Sequence, residues 1–245
     1  MSTHIIAPGD TFCSLSQRYG CTVQALQNAN PGVAPEQLQI GQVIRLGGGG
    51  ARPAPTTTRQ GPLSPTGNLP ANARLDTTLN GRIPGWCESL RGMINTASEK
   101  TGVPADLIAA VIYQESGGNI NVDATGNPNG GSDSGLMQVN QYTANELQRK
   151  FPERFCGIGG SAKNIMLDDS YLRQMFDTMA DHNWGITLRA YNSGPNGVDK
   201  NNLRARPAGT GDSTYVDKVF RFWTDISTGK DPPADHYESI FGRGF

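Results

Sequence analysis

Glu115 combines reactive chemistry with an unusual place in the hydrophobic pattern. The stretch from Pro104 to Gly118, PADLIAAVIYQESGG, reads as a helix that opens at Pro104 and stops at the Gly117-Gly118 pair. Leu107, Ile108, Val111 and Ile112 recur at the i, i+1, i+4, i+5 spacing of one buried stripe, and Glu115 is its next member. A carboxyl placed there loses hydration and meets the negative end of the helix macrodipole, and both effects favour the neutral acid. A carboxyl that keeps its proton near neutral pH can donate it, which cleavage of a glycosidic bond requires. Taken alone, the helix also allows a plainer reading, in which the stripe has ended and Glu115 points into water.

Further polar groups follow in a fixed order. Gly135-Leu136-Met137-Gln138-Val139 comes first, then Ala190-Tyr191-Asn192-Ser193-Gly194, and Tyr215 opens another apolar-periodic segment. Together with Glu115-Ser116, these strings resemble the motifs of the lytic transglycosylase and goose-type lysozyme family (SLT-like, glycoside hydrolase family 23) over roughly Trp86 to Trp223. The resemblance implies a mainly α, lysozyme-like domain with a cleft between two lobes. It also implies that Glu115 is the catalytic acid and then base, protonating the bridging oxygen of a β-1,4 bond between N-acetylated sugars. In a lytic transglycosylase the same carboxylate next takes the proton of the sugar's C6 hydroxyl, closing a 1,6-anhydro ring. Inverting hydrolysis needs a second carboxylate roughly 6.5 to 9.5 Å away to activate water.

Goose-type lysozymes carry extra aspartates near GLMQ, where this chain has Asn140 and Asn129; Asp123 or Asp133 in the same loop could substitute, or could simply serve turns. The resemblance assigns Ser116 to orienting Glu115, the alternative being an ordinary serine at a helix C-terminus, Met137 and Asp133 to the sugar subsites, and Gln138, Tyr191, Asn192 and Tyr215 to lining those subsites or positioning the acid. The tyrosines could equally be core residues with a satisfied polar tip. His182 reads as a helix-surface residue. The expected substrate is peptidoglycan, cut between N-acetylmuramic acid and N-acetylglucosamine. Chitin is the alternative, and a non-catalytic polysaccharide-binding protein is the reading from a different class. No metal or cofactor is expected.

The composition of the whole chain suits two domains. The 245 residues hold 36% hydrophobic and 18% charged residues, low for a single globule, with 31 Gly and 16 Pro. A formal net charge of -1 offers no support for a nucleic-acid or anionic-membrane partner. No apolar run approaches a membrane span, and no basic region followed by a long apolar core marks the first residues. A secreted or extracellular monomer is expected. Cys13, Cys21, Cys87 and Cys156 lack zinc-ligand spacing, and an even count in a wall-active protein suggests two disulfides. Of three connectivities, Cys13 with Cys21 and Cys87 with Cys156 keeps each bond within one domain; free buried thiols are the alternative.

Residues 3–46 read as strand, helix, helix, strand. His4-Ile5-Ile6-Ala7 is β-prone, Asp10 or Thr11 can cap a helix carrying Phe12, Leu15 and Tyr19, and Gly20 stops it. Val23, Leu26 and Ala29 mark a second helix, and Ile40 to Leu46 alternates as a strand. The strings Pro8-Gly9-Asp10-Thr11, Tyr19-Gly20, Asn30-Pro31 and Leu38-Gln39-Ile40-Gly41-Gln42 resemble a LysM module. That implies a βααβ fold holding N-acetylglucosamine chains in a shallow groove lined by Gly9, Asp10, Thr11, Phe12, Asn30, Leu38 and Ile40. Gly9 could instead serve only its turn, and Leu38 and Ile40 the core.

Between the two patterns, Gly47 to Pro70 has six glycines, five prolines and no aromatic residue, too little apolar surface to offset its ordering entropy. The expected organisation is therefore a LysM module at 1–46, a Pro/Gly/Thr-rich linker at 47–80 and a catalytic domain at 81–245. Within the last, Trp86, Leu90, Met93, Ile94 and Ala97 predict a helix ending at Gly102. Asn119 to Ser134 predicts a long loop, and Asp168-Asp169-Ser170 predicts caps for a helix bearing Leu172, Met175 and Phe176. Residues after Gly229 fit no element.

Overall fold

A computed structural model of the chain describes residues 2–34, 37–47, 69–80, 83–118 and 141–242. It is mainly helical, and the described residues divide into two compact units. The first comprises residues up to 61 together with 148–158, and the second comprises 62–147 and 159–245.

The first unit follows the expected order: β1 (Thr3–Ile5), α1 (Phe12–Tyr19), α2 (Val23–Ala29) and β2 (Val43–Arg45). β1 and β2 pair antiparallel, with His4 opposite Ile44. Thr11, not Asp10, caps α1. Its hydroxyl accepts from the Ser14 N–H while the Ser14 hydroxyl accepts from the Thr11 N–H, so two otherwise unpaired donors are satisfied. Asp10 instead accepts from the Ala7 N–H and lies 2.6 Å from His4 Nε2, contacts that hold its carboxyl below the usual carboxylate range. Gly20 ends α1 at φ 64°, a left-handed conformation that costs glycine little. The core consists of Ile6, Phe12, Leu15, Cys21, Val23, Leu26, Ile44 and Leu46.

Residues 148–158 belong to this unit through particular contacts. Glu153 places a carboxylate oxygen 2.5 Å from the Val23 N–H at the positive end of α2, and Cys156 packs on the same core as Leu38. Cys156 is bonded to Cys13, which corrects the expected pairing. Cys21 and Cys87 are free, buried thiols, and burial pushes Cys87 up to about 12. The expectation failed because it kept each bond within one stretch of sequence, whereas the segment around Cys156 packs with α1 and α2. Peptide mapping of the unreduced protein should recover the Cys13 and Cys156 peptides joined, with Cys21 and Cys87 alkylated only after unfolding; a Cys13–Cys21 peptide would contradict the fold.

In the second unit, α3 (Gly85–Glu88) and α4 (Arg91–Thr101) divide the helix expected from Trp86, and Gly102 caps α4 as anticipated. α5 (Ala105–Ser116) is the centre. Ala105 to Tyr113 are buried on every side, so the single stripe seen in the sequence understates the burial. The unit also holds α6 (Gln141–Lys150) as far as Leu147, α7 (Gly160–Thr178), α8 (Trp184–Ser193), α9 (Tyr215–Ser227) and α10 (Glu238–Phe241), with α9 and α4 in contact with α5, and α7 packed on α4 and α8. α7 begins at Gly160, so Asp168, Asp169 and Ser170 lie inside the helix, buried, and do not cap its start.

Two stretches expected to lack a place pack firmly. Arg74, within the presumed linker, donates to both oxygens of buried Asp106 at 2.7 and 3.2 Å, and its carbonyl accepts from Trp223 Nε1. After Gly229 the chain returns to α5 and α9: His236 stacks on Tyr113 at 4.8 Å, and Tyr237 donates to Asp225. The stop of α5 is equally constrained. Gly117 and Gly118 have φ of 63° and 80°, and a Cβ on Gly118 would lie 2.3 Å from the Trp86 ring. Gly118→Ala should therefore cost about 2 kcal/mol or more, read as a lowered Tm, through both backbone strain and collision; an unchanged Tm would contradict the packing of Trp86 on this turn.

Candidate active site

The last turn of α5 carries Glu115 out of the apolar core to a partly buried position. Burial is the larger influence and lifts its carboxyl to about 7, and a hydrogen bond from Tyr215 opposes that rise. Tyr215 is the first residue of α9, is buried, and donates its hydroxyl to Glu115 Oε1 at 2.5 Å. The group so placed is a carboxylic acid that is half protonated near neutrality with one oxygen fixed in direction.

Tyr215 is itself held by a polar scaffold that sequence reasoning missed. Asp212 accepts from the N–H and hydroxyl of Thr214 at 2.7 Å and pairs with Lys218 Nζ at 2.9 Å, both partners of the ion pair being buried. Burial pushes the Asp212 carboxyl up, but the Thr214 and Lys218 hydrogen bonds outweigh it, and the net direction is down. Buried Arg189 donates to the carbonyl of Asp212 at 2.6 Å and to that of Thr210 at 3.3 Å. Asn192, expected in a sugar subsite, turns its side-chain oxygen to this scaffold: it accepts from the Asp212 N–H at 2.7 Å and from Arg189 at 3.2 Å. Gly211 allows that approach, since a Cβ there would lie 2.5 Å from the Asn192 oxygen.

Other expected residues divide. The Tyr191 ring lies 6.4 Å from that of Tyr215 and 6.1 Å from that of Tyr171, beside Glu115's partner. Ser116 does not orient Glu115; its hydroxyl donates to the Ile112 carbonyl at 3.0 Å, the acceptor one turn back in its own helix. Met137, Gln138 and Asp133, with Asp123, Asn129 and Asn140, lie outside the described residues. Asp168 was not singled out as a site residue, yet it is buried with its Oδ1 3.5 Å from Tyr191 Oη. The sequence did contain a signal: Asp169, beside it, takes the core-facing place between Ile165 and Leu172, as Glu115 does in α5.

In the first unit, two expected groove residues are structural. Phe12 is 2% exposed in the core, so its side chain cannot meet a sugar. Asn30, 8% exposed, spends its amide on the Leu26 and Arg45 carbonyls and on the Arg45 N–H, tying α2 to β2. Leu38 is partly buried against the core, and the Asp10 carboxylate is engaged by His4 and Ala7. Gly9, Thr11 and Ile40, the last 70% exposed, remain at the surface.

The transglycosylase SLT domain model matches residues 92–211, and the LysM domain model matches 4–47. An X polypeptide of Escherichia coli is 30% identical over 135 residues, 52% of this chain and 70% of that protein. The chain belongs to the SLT transglycosylase domain family and carries a LysM domain ahead of the SLT domain. The LysM part is 51% identical over 45 residues to the secreted LysM effector ELP2 of Colletotrichum higginsianum, covering 18% of this chain and 26% of that one. The solved structure of the 70 kDa soluble lytic transglycosylase Slt70 of Escherichia coli aligns over 64% of this chain and 29% of that chain, at 20% identity and a TM-score of 0.40. The chain thus spans about a quarter of the length of ELP2 and somewhat more of Slt70.

If the Lys218–Asp212 pair holds Tyr215 in place, Lys218→Met strands a buried carboxylate and should cost about 3 kcal/mol at neutral pH. Because Asp212 is depressed in the folded state, its contribution is present above the unfolded carboxylate range and is lost as pH falls below it, so the deficit should shrink in acid. Denaturant melts at both pH values check this.

Proposed function

We propose that the chain is a secreted cell-wall lytic enzyme that cleaves the β-1,4 bond between N-acetylmuramic acid and N-acetylglucosamine in peptidoglycan. The observation that carries this reading is Glu115 itself, a carboxyl raised to about 7 with one oxygen held by Tyr215. In the protonated form Glu115 gives its proton to the bridging oxygen as the glycosidic bond breaks. The resulting carboxylate then takes the C6 hydroxyl proton as that oxygen closes onto C1, which yields a 1,6-anhydro end and restores the acid. No water is consumed, and one carboxylate serves both steps. Membership of the SLT family supports this route over hydrolysis, and Asp168, buried beside another acid, is poorly suited to activating water.

The LysM unit holds the polymer and raises the effective concentration of cleavable bonds near the catalyst. Gly9, Thr11 and Ile40 offer backbone and apolar contacts to acetamido sugars there. The Cys13–Cys156 disulfide suits an oxidising, extracellular setting. No helix among the described residues is long and apolar enough to cross a membrane.

Glu115→Gln should lower the rate of wall clearance by about a thousandfold while leaving polymer binding intact. Mass spectrometry of wild-type products should show ends lighter by one water than reducing ends. Reducing ends would establish hydrolysis instead, and faster release from chitin oligomers than from peptidoglycan would move the substrate. Activity should fall as pH rises through about 7, where the acid form is lost. The stability effect has the same sign: with a folded value above the unfolded one, Glu115 favours the folded state less as pH rises toward 7. Glu115→Gln should therefore raise Tm more above pH 7 than near pH 4.

A further inference from the structure

Asp168 takes no part in the chemistry above, and its surroundings are unusual for an aspartate. It sits in the middle of α7, 2% exposed, next to the fully buried Asp169. The charged groups that act on it among the described residues are Asp169 from its own helix and Glu115 from α5, both acidic, while α8 presents the Tyr191 hydroxyl. Tyr191 Oη donates to Asp168 Oδ1 at 3.5 Å, the Tyr191 ring lies 6.4 Å from Tyr215 at an interplanar angle of 29°, and Tyr215 holds Glu115. Four helices thus contribute one continuous run, Asp168 to Tyr191 to Tyr215 to Glu115. A second ionised carboxylate at the far end would be poorly hydrated and would face its own sign twice. Burial first, then Asp169 and Glu115, raise Asp168 well above the ordinary range.

We propose that Asp168 is a positioning residue that works as the neutral acid: its carbonyl oxygen accepts from Tyr191 Oη and so fixes the Tyr191–Tyr215 pair that orients Glu115. The kinetic consequence rests on Glu115 being the catalytic acid; the protonation state of Asp168 does not. An asparagine presents the same carbonyl oxygen without a charge, whereas an alanine removes the oxygen at residue 168 that Tyr191 Oη meets.

The test compares Asp168→Asn with Asp168→Ala in the full chain. Asp168→Ala should lower kcat on peptidoglycan about tenfold with little change in KM, through loosened alignment of the acid. Asparagine should rescue most of that loss and leave the alkaline limb of the pH profile where it is in wild type. An asparagine variant as impaired as alanine, or one with a displaced limb, would mean that Asp168 acts as a carboxylate. An alanine variant equal to wild type would remove it from the site. Infrared spectroscopy decides the protonation state even if the alanine variant does not fold or the wild type proves inert on cell walls. In Glu115→Gln protein at about pH 8, well above the ordinary carboxylate range, a protonated-carboxyl carbonyl band should persist and should vanish when Asp168→Asn is added. Absence of that band, or its survival in the double variant, would overturn the proposal.

Discussion

The hydrogen bond from Tyr215 to Glu115 is the contact on which the second unit turns. It joins the last turn of α5 to the first residue of α9, so side chains from two helix ends must meet at 2.5 Å where burial has displaced water. The two influences on Glu115 are opposed. Burial favours the neutral acid, while the phenol favours the carboxylate, and the balance near neutrality lets one side chain give a proton and take one back. A deeper burial without the phenol would leave an acid reluctant to part with its proton, and an exposed carboxylate would have none to give.

Much of the remaining structure keeps those two ends in register. α5 is buried all round, and its N-terminal Asp106 is tied to Arg74 and Ser227, which anchors the start of the helix against the end of α9. Its C-terminal end is closed by two left-handed glycines, the Trp86 ring and His236 stacked on Tyr113. The start of α9 is set by Asp212, with Lys218, Thr214, Arg189 and Asn192 satisfying that carboxylate and its peptide group. A buried ion pair of this kind contributes little net stability compared with apolar packing, and its value here is directional. The first unit uses the same economy on a smaller scale, with Asn30 bridging α2 to β2 and a disulfide drawing Cys156 onto a small core.

Local pattern alone determined a good deal about this protein. The βααβ order, the Gly20 cap, the stop at Gly102 and the α5 boundaries all follow from periodicity and from residues whose backbone preferences act over three or four positions. Tertiary structure decided the rest, because those features depend on groups distant in sequence. Cys13 found Cys156 only because residues 148–158 pack with α1, and Phe12 and Asn30 left the expected groove because the small core and the α2–β2 junction required them. Asn192 turned its side-chain oxygen to the peptide N–H of Asp212, 20 residues along the chain. Whether a carboxyl in a helical stripe is an acid or a solvated charge depends on what closes over it; for Glu115 that closure includes Tyr215 of α9, 100 residues along the chain, and for Asp168 it includes Tyr191 of α8, 23 residues along.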